Sequence, residues 1–171
     1  MTDNITEIYT NWFREYPWQV HITTGIPPTI QQNEAHEALI RDVLRPLTRH
    51  LHTRIASISV VKTRTKTEQA HIHTLAFGDK VNLFAYLLEI DDYLAKNKTE
   101  LNSHKDAIMV KCYVTDLQSR YLAKNYTDTA DLFFYDRKLL EKTRCDYRQT
   151  TVQTCPGSHN LQQTHTLPLP K

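Results

Sequence analysis

Four short runs rich in β-branched and apolar residues, at 18–25, 55–63, 70–77 and 107–114, are separated by two stretches where leucine and isoleucine recur at helical spacing. That alternation confines the chain to one sheet with helices packed on it. The first run ends in Gly25-Ile26-Pro27-Pro28, which stops any regular element. A helix is predicted from about Asn33, as its N-cap, through His52; Ile40, Leu44, Leu47 and Leu51 share one face, Arg41, Arg45 and Arg49 point away, and Pro46 kinks it. The second and third runs, joined by a polar charged segment, read as a hairpin. Leu83, Leu87, Ile90 and Leu94 mark a helix over 82–97, and another begins near Asp116 with Leu117, Tyr121 and Lys124 spaced for one side. The order strand, helix, two strands, helix, strand, helix predicts an α+β sandwich, an antiparallel sheet of about four or five strands with helices covering one face.

At 171 residues the chain is long enough for one ordinary domain, placed at 1–145, with 146–171 as a C-terminal tail of Gln, Thr, Pro and His. Hydrophobic residues at 40% and charged residues at 23% fit a globular protein. No apolar run approaches membrane-spanning length, and the start Met1-Thr2-Asp3-Asn4 lacks a signal peptide's basic and apolar regions. Three widely spaced cysteines, Cys112, Cys145 and Cys155, argue against a disulfide framework and for a cytoplasmic setting. The net charge of +2 is too small to announce a nucleic-acid binder, so any such contact must come from local clusters such as Lys62, Arg64 and Lys66.

The run Ala70-His71-Ile72-His73-Thr74-Leu75-Ala76-Phe77 carries the chemistry. On a strand His71 and His73 project from one face, where two imidazoles can share a divalent ion; with nine histidines in the chain, a His-x-His pair can also be accidental. A second constellation is Tyr121-Leu122-Ala123-Lys124-Asn125, where helical spacing brings the phenol, the ammonium and the amide to one side. The bland alternative is a half-buried tyrosine beside a solvated lysine. The pentapeptide Tyr-Leu-Ala-Lys-Asn also occurs at 93–97, without longer similarity around it.

In their order, these segments resemble the HUH endonucleases, especially the single-tyrosine replication initiator (Rep) proteins of rolling-circle plasmids and single-stranded DNA viruses. The resemblance covers about residues 15 to 126. Trp18-Gln19-Val20-His21-Ile22-Thr23-Thr24 is similar to the family's first motif, His71-Ile72-His73 to its histidine, hydrophobe, histidine signature, and Tyr121-Leu122-Ala123-Lys124 to its Tyr-x-x-Lys helix. It implies a ferredoxin/RRM-like HUH fold and a nickase of single-stranded origin DNA or an origin hairpin. Tyr121 would be the nucleophile, Lys124 would offset phosphate charge, and His71 and His73 would bind Mg²⁺ or Mn²⁺. A 5′-phosphotyrosine would form and a 3′-hydroxyl be freed, with a host helicase and polymerase as partners. Tyr93 follows the histidines with no intervening strand, so it is read as a helix-surface or packing residue.

The family's usual carboxylate on the strand before the histidines is missing: that strand offers Ser57, Ser59, Lys62 and Thr63. Glu68 in the connecting turn, or His21 on the first strand, is left as third ligand. A zinc site from Cys145, Cys155, His159 and His165 matches no common spacing. No phosphate-binding loop occurs, and with it no helicase module. A transposase or relaxase would use the same chemistry, and a non-enzymatic ferredoxin-like nucleic-acid-binding module would make the histidines incidental.

Overall fold

The computed structural model describes residues 2–62, 69–103, 107–129 and 132–147. Glu68, Arg64, Lys66, Cys155, His159, His165 and the tail from 148 onward lie outside them.

The four predicted strands form, as β1 (Val20–Gly25), β2 (Ile55–Lys62), β3 (His71–Gly78) and β4 (Ile108–Cys112), and a fifth, β5 (Leu132–Tyr135), joins them. All neighbours are antiparallel, in the order β4-β1-β3-β2-β5. β1 and β2 therefore run the same way with β3 inserted between them, which requires long connections. One is α2 (Ala35–Leu39), a π-helical turn (Ile40–Leu44) and α3 (Arg45–His50); the other, from β3 to β4, is α4 (Leu87–Lys96).

Helices cover both faces of the sheet, not one. On the first, Leu39, Val43, Leu44, Leu47, Ile90 and Leu94 pack against Ile22, Ile72, Ala76 and Val61. On the second, α1 (Thr2–Phe13), α5 (Thr115–Thr129) and α6 (Arg137–Tyr147) bury Phe13, Leu122, Ala123, Leu139 and Leu140 against Ala56, Ile58, Leu75 and Phe77. Two-sided cover explains why β2, Ile-Ala-Ser-Ile-Ser-Val-Val-Lys, is buried along nearly its whole length: a strand with both faces covered has no solvent side on which polar residues would alternate. Each fully buried aliphatic or phenyl side chain contributes about 1.5–3 kcal/mol.

Three elements escaped the sequence reading: α1, β5 and α6. Asn33 is not an N-cap; it lies inside a 3-10 turn (Gln32–Glu34) that leads into α2. The helix does respond to Pro46, by widening rather than breaking. Proline has no N–H to donate and its ring crowds the carbonyl four residues earlier, that of Asp42, and the π-helical turn comes just before it. Beyond β3 the chain turns at Gly78, where a Cβ would come within 2.3 Å of the Val81 carbonyl. The Gln19 side-chain oxygen holds that turn, accepting the Gly78 and Leu83 amides at 3.0 and 2.8 Å.

Candidate functional site

β3 sends Ile72, Thr74 and Ala76 into the first core and His71 and His73 to the face under α5. Antiparallel register sets their neighbours. Thr23 lies opposite His73 and His21 opposite Leu75 on β1, so His21 and His73 are diagonal partners on one face. Beyond β1, Met109 lies opposite Thr23 and Lys111 opposite His21. On the other side, Val60 faces His73 and Lys62 faces His71. Ser57 and Ser59 belong to the opposite face, paired with Ala76 and Thr74.

α5 reaches this face because its first turn is tied to the end of β4. The Gln118 side chain accepts the Val114 amide at 3.0 Å and donates to the Cys112 carbonyl at 3.4 Å, and the Tyr113 hydroxyl lies 2.5 Å from Ser119 Oγ. α1 braces the helix from behind, the rings of Tyr9 and Tyr126 meeting edge-on at 4.4 Å. So held, α5 turns Ser119, Leu122 and Ala123 inward and brings the Tyr121 ring edge-on to His73, centroids 4.6 Å apart at 90°. Tyr121 keeps 39% of its surface exposed. Lys124 is exposed one turn further on. Asn125 does not converge with them: it is buried, and its amide donates to the Tyr121 backbone carbonyl at 3.0 Å.

The three imidazoles form a row. His21 and His73 are stacked, centroids 5.4 Å apart, with His21 Nε2 3.3 Å from His73 Nδ1; His71 meets His73 edge-on at 4.5 Å. Thr23 Oγ1 lies 3.5 Å from the same His73 nitrogen, and His71 Nδ1 is 2.9 Å from the Gln69 carbonyl. Burial pushes His73 down to about 3, with the charges of His71, His21 and Lys62 adding to it, and pushes His21 down to about 4, with Lys111 adding. Both rings are thus neutral near pH 7, the state in which imidazole is a ligand and a hydrogen-bond acceptor. His73 Nε2 is buried and has no partner, an arrangement that costs about 1–3 kcal/mol in a finished core.

The donors suit a divalent transition ion in kind: neutral imidazole nitrogens, one of them orphaned. They do not complete a site, since no group of three or more His, Cys, Asp or Glu among the described residues is arranged to hold a metal ion. His21 approaches His73; Glu68 lies outside the described residues. Tyr93 sits on the other side of the sheet, its ring flat on His50 at 4.1 Å. Sequence reasoning passed over Thr23 and Lys111, although alternation along β1 places Thr23 on the face of His21.

No helix among the described residues is long and apolar enough to cross a membrane. Compared with family models, curated proteins and solved structures, the chain matches none.

Proposed function

We propose that the chain is a single-strand DNA nickase of the HUH type, a replication initiator that cuts and rejoins origin DNA through Tyr121. The observation that carries this reading is the edge-on meeting of Tyr121 and His73, side chains from a helix and a strand far apart in sequence. The strand order β4-β1-β3-β2, with helical crossovers from β1 to β2 and from β3 to β4, adds support, because it is a ferredoxin-like order.

In this reading the Tyr121 phenolic oxygen attacks the scissile phosphorus in line. The P–O bond to the 3′-oxygen breaks as the bond to Tyr121 forms, so the phosphodiester energy is kept and no ATP is consumed. A phenol is a poor nucleophile until it gives up its proton, and the departing 3′-oxygen takes one up, so the exchange is balanced and the site has only to favour the phenolate. Lys124 offsets charge gathering on the phosphoryl oxygens. His71 and His73, with His21 or Glu68, are the residues that would hold a divalent ion, and of the two expected ions their imidazole nitrogens fit Mn²⁺ rather than Mg²⁺; it would supply polarisation of a non-bridging phosphate oxygen. The test is incubation with single-stranded oligonucleotides and Mn²⁺, followed by denaturing electrophoresis and peptide mapping. DNA covalently attached to Tyr121 is expected; no adduct with any strand would falsify the assignment.

A second reading also has an observation behind it. The direct 3.3 Å approach of His21 to His73 suits a nucleic-acid-binding module whose histidines serve one another. Such a module would bind strands without forming any adduct.

A further inference from the structure

We propose that His21 is a positioning residue for His73 and not the third metal ligand, an inference that rests on the strand-cutting reading and its metal. His21 Nε2 accepts the Nδ1–H of His73 and so leaves His73 Nε2 a bare lone pair for the ion. A neutral imidazole carries one proton on two nitrogens, so whatever fixes the proton on one makes the other the donor atom for a metal. At His71 the chemistry leaves no choice. Its Nδ1 lies 2.9 Å from the Gln69 carbonyl, an oxygen that can only accept, so Nδ1 holds the proton and the neutral ring presents Nε2 bare.

His73 repeats the pattern. Its Nδ1 meets His21 Nε2 at 3.3 Å, with Thr23 Oγ1 at 3.5 Å from the same nitrogen, while its Nε2 is buried and has no hydrogen-bond partner among the described residues. A proton on Nε2 would be a buried donor with nothing to receive it. On Nδ1 the proton is used, and the unfilled atom becomes a lone pair that a divalent ion can take. The two nitrogens of one imidazole point their lone pairs apart, so a ring aimed at His73 Nδ1 is not also aimed at an ion on His73 Nε2. His21 is suited to accept: the β1–β3 register sets it diagonal to His73, and burial together with Lys111 keeps it neutral, the form that has a lone pair to offer. The ion then takes its protein nitrogens from His71 and His73 and leaves its other positions to oxygen donors.

Long-range proton–nitrogen correlation spectra of the full, metal-free chain near neutral pH read the protonated nitrogen of each histidine directly. Protons on Nδ1 of His21, His71 and His73 are expected; a proton on His73 Nε2 overturns the proposal without any variant. In His21→Leu, Thr23→Val, where neither acceptor remains, His73 should become a mixture of both tautomers, and Mn²⁺ affinity by calorimetry should fall about tenfold or more. His21→Gln offers an amide oxygen that accepts, so it should keep the Nδ1 proton and hold Mn²⁺ affinity within about threefold of wild type. A pure Nδ1 tautomer in the double variant, or no rescue by His21→Gln, removes His21 from the role. Electron spin echo spectra of the Mn²⁺-loaded chain count bound imidazoles. Two are expected in the wild type and in His21→Gln; three falling to two would make His21 a ligand and overturn the proposal, as would an ion with no imidazole bound. A Tyr121 adduct formed by a chain whose His73 carries its proton on Nε2 would sink this role and leave the nickase reading standing; the expected tautomers and imidazole count, with no adduct on any strand, would do the reverse.

Discussion

Tyr121 stands perpendicular to His73, whereas the tyrosine of the duplicate pentapeptide, Tyr93, lies flat on His50 across the sheet. The identical local sequences are therefore unequal in surroundings. Tyr121→Phe should abolish the covalent DNA adduct, and Tyr93→Phe should leave it nearly intact. Mass spectrometry of the trapped adduct decides, and DNA on Tyr93 would overturn the placement of the active site.

Removing both imidazoles of β3 should end cleavage and Mn²⁺ binding, but not at equal structural cost. His73 is only 4% exposed, whereas His71 is half-buried at the end of β3. His73→Ala should lower unfolding free energy by roughly 1–3 kcal/mol, and the partly exposed His71→Ala by less than about 0.5 kcal/mol. Urea unfolding gives the two costs and calorimetric titration with Mn²⁺ the affinity. Unchanged affinity in the double variant would refute the metal assignment.

Metal-free protein should lose stability as the pH falls below neutrality. His21 and His73 titrate lower in the folded chain than in the unfolded one, so between about 6.5 and their folded values of about 4 and about 3 the unfolded state binds more protons. Their contribution is whole above about 6.5 and drains away through that window, on the order of 2 kcal/mol per imidazole by pH 5. Urea midpoints at pH 7 and pH 5 should separate in the wild-type chain and draw together in His21→Asn, His73→Asn. A wild-type midpoint constant over that range would show that these rings are not held neutral.

Lys124 separates two kinds of work. If its ammonium acts on charge that builds up only in the transition state, Lys124→Ala should lower the single-turnover cleavage rate far more than it weakens oligonucleotide binding. A lysine that only touches the backbone should instead weaken binding and reduce the salt slope by about one unit. A normal single-turnover rate with weakened binding demotes Lys124 to a strand contact.

How much of this was legible in the sequence depended on whether a segment's neighbours are local. The β-branched runs and Ile90 and Leu94 of α4 announced themselves because each element's burial follows its own period, whereas Leu83, expected in the same helix, lies in a 3-10 turn (Leu83–Tyr86) before it. β5 did not, since four residues, Leu-Phe-Phe-Tyr, are too short to display alternation, and it gains its place only by pairing with β2. α1 carries Ile5, Ile8, Tyr9, Trp12 and Phe13 at helical spacing, a signal that was there to be read. The pairing of His71 with His73 follows from strand alternation alone. The approach of His21 and the burial of His73 required the register between β1 and β3 and the cover of α5, neither of which is written in a local pattern.

Because β3 is a central strand with both sides in use, its residues serve two masters in turn: His71 and His73 the site, Ile72, Thr74 and Ala76 the core behind it. Inserting or deleting a single residue within it would exchange the two sets, pushing imidazoles into the aliphatic layer and aliphatics under Tyr121. Descendants of this chain can therefore alter the site by substitution, but β3 itself has no freedom to change in length. Innovation by insertion is confined to the loops and to the edge strands β4 and β5, and β4 borders the site.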